Sequence, residues 1–163
     1  MGNSHLQLTF KLHLYTLRNT FSKKVLRMLK RFSISLEEKL LAEFDRFIAQ
    51  RTYSNRSEAI RDLIRKGFVK EAWEADKEVA GVITLVYDHH RYQLQEKITE
   101  LQHELHHHII SSMHVHMDHD NCLEVIVVRG KAKKVQTLAE QLIALRGVKD
   151  GHLSMSSTGD HLR

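Results

Sequence analysis

The chain has 163 residues, with 25 Lys and Arg against 20 Asp and Glu, for a formal charge of +5. At 42% apolar residues it can bury a real core, roughly 70% of its unfolded surface if it packs as one unit, which excludes both a large multidomain enzyme and a disordered tail. No apolar run approaches the roughly 20 residues needed to cross a bilayer, the opening stretch lacks a secretory signal's apolar block, and Leu6 stands where an acylation motif wants Ser or Thr. The expectation is a soluble cytoplasmic protein with no membrane partner.

Cys122 is the only cysteine, so an intramolecular disulfide is excluded and three roles stay open: structural thiol, reactive thiol or metal ligand. Of 13 histidines, eleven lie beyond residue 88. Charge is divided as well. Residues 1–78 hold 16 basic and 10 acidic side chains, and residues 79–163 hold 9 and 10. A basic module therefore precedes a near-neutral, histidine-rich one. Such an excess is ordinarily a solvated surface, and nucleic-acid binding needs a motif in addition.

Residues 1–28 read as an N-terminal extension without a clean period, and Met28 admits a later start. From Lys30, Arg31, Ser33 and Ser35 alternate with Phe32, Ile34 and Leu36, the period of two of a half-buried strand. Leu40, Leu41, Phe44, Phe47 and Ile48 then follow helical spacing to about Arg51, with Ser35 as a candidate N-cap and Glu38 three residues on. After Thr52-Tyr53-Ser54-Asn55, a second helix is expected to about Lys77. Asn55 and Glu58 have capping-box spacing there, and Ile60, Leu63, Ile64 and Phe68 form one stripe. A strand followed by two helices leaves the strand without a partner in its own chain, so its free N–H and C=O groups call for a second copy.

The second half predicts a strand at Gly81–Tyr87, a helix from His90 to about His108, strands at Met113–Asp118 and Cys122–Arg129, a helix at Lys131–Leu145 and a strand at Val148–Met155. That order, βαββαβ, is the split βαβ or ferredoxin-like arrangement. Leu94, Ile98, Leu101 and Leu105, and then Val135, Leu138, Ala139, Leu142 and Ile143, give each helix one apolar stripe for an antiparallel sheet. The expected fold class is α+β, with domains at 29–78 and 79–163.

The sharpest chemical constellation is His114-Val115-His116-Met117-Asp118-His119-Asp120-Asn121-Cys122. On a strand, His114 and His116 share one face about 6.7 Å apart along the chain. The turn-forming residues Asp118 to Asn121 let the chain double back to bring Cys122 beside them. One such histidine alone is usually a solvated surface residue; the set points to a metal. A fourth donor is available from the helix carrying His103, His106, His107 and His108. Imidazole and thiolate suit Ni, Cu and Zn, and the choice turns on geometry, planar for Ni(II) or Cu(II) and tetrahedral for Zn. His103-Glu104-Leu105-His106-His107 also matches the H-E-x-x-H string of zinc metallopeptidases. Within a histidine-dense tract that string arises by chance, and a compact βαββαβ unit offers no evident cleft. No enzyme is expected.

In the basic half, two copies of the strand would pair as a ribbon whose apolar face, Phe32, Ile34 and Leu36, packs on the helices. Arg31, Ser33 and Ser35 would then face outward, toward solvent or into a DNA major groove, where Arg reads guanine and Ser serves as donor or acceptor. The start of the second helix, Ser54-Asn55-Arg56-Ser57, offers N–H groups to a phosphate.

KRFSISL, YSNRSEAIRDLI, the histidine tract, HVHMDHDNCLEV and RGVKDGHL together resemble the NikR family of nickel-responsive transcriptional regulators, over about residues 29–153. The resemblance implies a ribbon-helix-helix DNA-binding domain joined to an ACT-like βαββαβ domain, assembled as a homotetramer, a dimer of dimers, that binds double-stranded operator DNA. It implies one Ni(II) per subunit, with ligands His114, His116 and Cys122 and a fourth, His103, from another subunit, and repression of nickel-uptake genes when nickel is bound. Arg31, Ser33 and Ser35 resemble the base-reading positions, with Ser at the latter two where some relatives carry Thr. Glu58 and Asp62 resemble residues lining a secondary cation site between the domains; helix capping and a surface ion pair are the alternative. The competing functions are a regulator sensing Zn, Co or Cu, a metal-storage protein, and the H-E-x-x-H peptidase.

Overall fold

The computed structural model describes residues 30–160 and residue 162; the expected N-terminal extension lies outside the described residues. Residues 42–163 form one compact unit. Among the described residues no helix is long and apolar enough to cross a membrane.

Residues 30–37 carry no ladder or helix within this single chain, where the strand expected from Lys30 to Leu36 has no partner. The reason is the one the pattern itself supplied: a strand is defined by hydrogen bonds to a second strand, and the four strands of the sheet below pair only with one another. Phe32 and Ile34 are 70% and 61% exposed. Helix α1, Glu38–Gln50, begins two residues later than a Ser35 cap would place it, with the Leu41 N–H donating to the Glu37 carbonyl at 2.9 Å. Phe44, Phe47 and Ile48 are half-buried along its apolar stripe, and the Arg51 guanidinium lies 4.0 Å from the Phe47 ring centroid.

Helix α2 is Arg56–Glu74. Asn55 caps it as its spacing predicts, its side-chain oxygen accepting from the Glu58 N–H at 2.9 Å. This satisfies one of the donors left free at a helix start. The Glu58 carboxylate does not close the box on the Asn55 N–H but takes the Ser54 hydroxyl. Leu63, Ile64 and Phe68 are exposed. Ala72 and Trp73 are buried instead, with the Trp73 indole N–H donating to the Ser156 carbonyl at 2.8 Å. The C-terminal end of α2 is thus fastened to the sheet while its middle presents an apolar stripe to solvent.

Strand β1 is Glu78–Asp88, helix α3 Leu94–Glu104, strand β2 Ile109–His116, strand β3 Asn121–Lys131, helix α4 Ala132–Ile143 and strand β4 Val148–Ser156. The sheet order is β2-β3-β1-β4, all antiparallel, as the ferredoxin-like reading requires. β1 and β3 bury every second residue along their whole length, the residues between being half-buried or, at Glu78, Arg129 and Lys131, exposed. Val79, Ile83, Leu85 and Tyr87 of β1 and Cys122, Ile126 and Val128 of β3 meet Leu94 and Ile98 of α3 and Val135, Leu138 and Leu142 of α4 in one core. Each fully buried Leu or Ile of this set contributes about 1.5–3 kcal/mol relative to exposure.

Both ends of α3 and the start of β2 differ from the periodicity. α3 starts at Leu94 rather than His90, because residues 89–93 turn and Gln93 sits at φ +63°. It also ends at Glu104; His106–His108 form one 3-10 turn, and β2 starts at Ile109 rather than Met113, with a register shift between Ile109 and Ser111. At the far edge Gly151 is required for close packing, since a Cβ there would lie 2.6 Å from Ile143 Cγ1 of α4.

Candidate metal centre

The register of the sheet assembles the site. His116 pairs with Cys122 and Cys122 with Tyr87, making one row across β2, β3 and β1; His114, Glu124 and Leu85 make the next row on the same face. The hairpin joining β2 to β3 is closed by the Asp118 carboxylate, whose Oδ1 accepts from the N–H groups of Asp120 at 2.9 Å and Asn121 at 2.8 Å and from the Asn121 side chain at 2.9 Å. Those bonds hold the Asp118 carboxyl below the usual carboxylate range. An acidic turn residue thereby fixes the register that sets a histidine opposite the cysteine.

Cys122 Sγ lies 3.2 Å from His116 Nδ1 and 3.5 Å from His89 Nδ1. His89, His116 and Cys122 offer three ligand atoms within 4.8 Å of one another. Burial pushes the Cys122 thiol up, reinforced by the negative charges of Asp118, Glu124 and Asp88. Burial and the neighbouring His90 and His116 rings push His89 down, toward the neutral imidazole that coordinates metals.

Of the four expected ligands, the structure therefore brings His116 and Cys122 together and adds His89 in place of His114 and His103. His114 is on the same face, its ring centroid 4.8 Å from that of His116, but its Nδ1 is engaged, 3.0 Å from Glu124 Oε2 and 3.1 Å from the Tyr87 hydroxyl. That leaves Nε2 for an ion, the arrangement in which a carboxylate orients a metal-binding imidazole. Glu124 is buried and its other oxygen accepts from Gln102 at 3.1 Å. His103 lines an open pocket with Gln102, His106, Ser112 and Glu124, apart from the converging trio. A metal fits the donor chemistry: imidazoles and a thiol on one face, with a carboxylate behind one ring.

Glu124 and His89 escaped the sequence reading. The signal for His89 was present, since it continues the inward period of Ile83, Leu85 and Tyr87 beyond the end of β1. Glu124 sits two residues from Cys122 on the same face and was legible only once the β2–β3 register was known. Replacing Glu124 with alanine removes the carboxylate behind His114. Metal affinity is expected to fall roughly 10- to 100-fold, the usual cost of an outer-shell partner, as read by titration against a competing chelator.

The H-E-x-x-H string does not form a peptidase site. It needs its two histidines one helical turn apart, and α3 ends at Glu104 with His107 already in the 3-10 turn. In helix α2 both candidate cation ligands are engaged by their own chain: Glu58 takes the Ser54 hydroxyl, and Asp62 pairs with Lys66 at 2.8 Å and takes the Tyr53 hydroxyl. The Lys66 ammonium, and after it Tyr53, holds the Asp62 carboxyl below its usual range. This is the capping and ion-pair arrangement weighed above against a secondary cation site. Arg31, Ser33 and Ser35 are exposed on the segment before α1.

Residues 80–156 match the family described as NikR C terminal nickel binding domain, and residues 30–71 match ribbon-helix-helix protein, copG family. A nickel-responsive regulator of Desulfotalea psychrophila is 64% identical over 135 residues, covering 83% of this chain and 99% of its own. One from Geobacter metallireducens is 53% identical over 133 residues, covering 81% and 96%, and one from Solibacter usitatus is 50% identical over 136 residues, covering 83% and 98%. The chain therefore belongs to the NikR family of nickel-responsive transcriptional regulators, with a ribbon-helix-helix segment ahead of an α+β domain built on a four-stranded antiparallel sheet.

Proposed function

We propose that this protein represses nickel-uptake genes in the cytoplasm when Ni(II) occupies the face that carries Cys122. The observation that carries the reading is the cross-strand row His116–Cys122 with the buried thiol 3.2 Å from an imidazole nitrogen, inside the segment that matches a nickel-binding domain. His114, His116 and Cys122 of one subunit and His103 of another would hold one nickel per subunit. The bound ion would supply a link between chains that none of these side chains makes alone. The exposure of His103 outside the trio supports a ligand directed at a neighbouring copy.

The division of labour follows the charge. Residues 29–78 would dimerise through paired strands, covering Phe32 and Ile34 and the exposed stripe of Leu63, Ile64 and Phe68, and would set Arg31, Ser33 and Ser35 in the major groove of an operator. Residues 79–163 would join two such dimers into a tetramer. A metal shifts that assembly toward the DNA-binding form only by its affinity difference between the two forms.

The competing reading, a zinc or cobalt sensor, is favoured by His89, because His89, His116 and Cys122 converge within one chain and suit a tetrahedral ion. Operator binding titrated with nickel and, in parallel, with zinc and cobalt separates them. Tight binding at one nickel per subunit with a weak response to the other ions is expected; an equal or stronger response to zinc overturns the assignment of nickel.

A further inference from the structure

The turn that joins α2 to β1 is built as a joint rather than a tether. Residues 72–79 lie between the two family matches. The Asp76 N–H donates to the Trp73 carbonyl at 3.3 Å and the Lys77 N–H to the Ala72 carbonyl at 2.9 Å, the pair of bonds with which a helix closes on a left-handed residue. That residue is ordinarily glycine, yet here Asp76 occupies the position at φ +50°, where a side chain is disfavoured. Its carboxylate supplies the reason. Asp76 Oδ1 accepts from the Lys133 N–H at 2.8 Å, in the first turn of α4, whose own N-cap residue Lys131 makes no side-chain capping bond. A negative charge suits that end of a helix. The Ala132 N–H also donates to the Lys77 carbonyl at 3.1 Å, so one aspartate ends α2 and starts α4. The buried Trp73 indole N–H donates to the carbonyl of Ser156 at the end of β4. The base of α2 is thus fixed to two elements of the sheet domain at once, and α4 carries Val135, Leu138 and Leu142 into the same core as Cys122.

We propose that Asp76 sets the angle at which α2 leaves the sheet domain, and through it the separation of half-sites that the protein accepts on DNA. α2 has 19 residues, which makes it a lever about 28 Å long. A swing of about 10° at its base carries the far end through about 5 Å, more than the rise of one base pair, about 3.4 Å. Without the Asp76 carboxylate the turn keeps the bonds that close α2 but loses its hold on α4, and the lever samples a range of angles. Asp76 is a positioning residue, acting through α2.

The inference rests on the reading of two ribbon dimers on one operator, and the test separates the two. The nickel-loaded full chain selects duplexes from a random pool, and the selected duplex is remade with one, two or three base pairs added or removed between its half-sites. Affinity for every duplex is then measured for the full chain, Asp76→Gly and Asp76→Asn, all with nickel. The full chain should prefer the selected spacing by about tenfold or more, comparable to the loss of one base contact. Asp76→Gly, which suits the left-handed backbone but has no carboxylate, should bind nickel unchanged and accept the altered spacings nearly as well as the selected one. Asp76→Asn keeps an acceptor oxygen and tolerates the left-handed conformation, and should retain the preference. If Asp76→Gly keeps the full preference, or weakens binding equally on every duplex, the positioning role is overturned and Asp76 is a stabilising cap alone. If the unaltered chain selects duplexes without paired half-sites, the two-dimer reading itself falls, and the positioning role with it.

Discussion

Replacing Cys122 with alanine is expected to abolish nickel-dependent operator binding while leaving the protein folded. Cys122 is fully buried, yet the change removes one small group from a core whose larger members, Tyr87, Ile83, Leu85 and Ile126, remain in place. The loss falls on the metal. A missing outer-shell partner costs about 10- to 100-fold in affinity, and a missing thiolate ligand should exceed the upper figure. The pH profile distinguishes this from a general weakening. Because burial and the carboxylates of Asp118, Glu124 and Asp88 hold the thiol above its ordinary range, the thiol is protonated at neutral pH and nickel must displace that proton. Affinity in the unaltered chain should therefore rise about tenfold per pH unit as the pH climbs toward the thiol's raised pKa, and the alanine variant should lose that slope. Chelator competition at several pH values, with far-ultraviolet circular dichroism as the folding check, reads both. Unchanged nickel-dependent DNA binding in the variant would refute the site.

The complementary result is expected at the other end of the chain. Arg31→Ala should weaken operator binding while leaving nickel affinity unchanged. A bidentate Arg–guanine contact is worth about 1–3 kcal/mol of discrimination and the proposed two-chain ribbon would present the residue twice, so specific binding should fall at least about tenfold, with a smaller loss on unrelated DNA. Arg31 is exposed and lies in the segment that matches ribbon-helix-helix proteins. An equal drop in nickel affinity would contradict the separation of DNA contact from metal binding.

How far these residues could be read in advance depended on where their partners lie. The sheet domain was legible because its pattern is closed within one chain: β1 and β3 alternate along their full length, α3 and α4 each carry one stripe, and the order of elements admits one antiparallel sheet. The hairpin was legible because Asp118 and Asn121 are turn residues placed between His116 and Cys122. The segment at Lys30–Leu36 has the period of a strand but forms no ladder here, since none of the four strands among the described residues pairs with it. Leu63, Ile64 and Phe68 of the α2 stripe are likewise exposed. The metal cluster was half legible. Spacing along one strand pointed to His114 and His116, but spacing does not show which ring nitrogen is engaged. Glu124 and Tyr87 claim Nδ1 of His114, while His89, distant in sequence, enters through the end of β1.

The account stands most directly on one measurement: simultaneous recording of sulfur-to-nickel charge-transfer absorption and operator occupancy while nickel is added to the full-length protein. The two signals are expected to rise together and to level off at one ion per subunit, because in the proposed mechanism the ion bound by the Cys122 thiolate would be the ion that switches DNA binding. Operator occupancy that saturates before any sulfur-to-nickel absorption develops would contradict it.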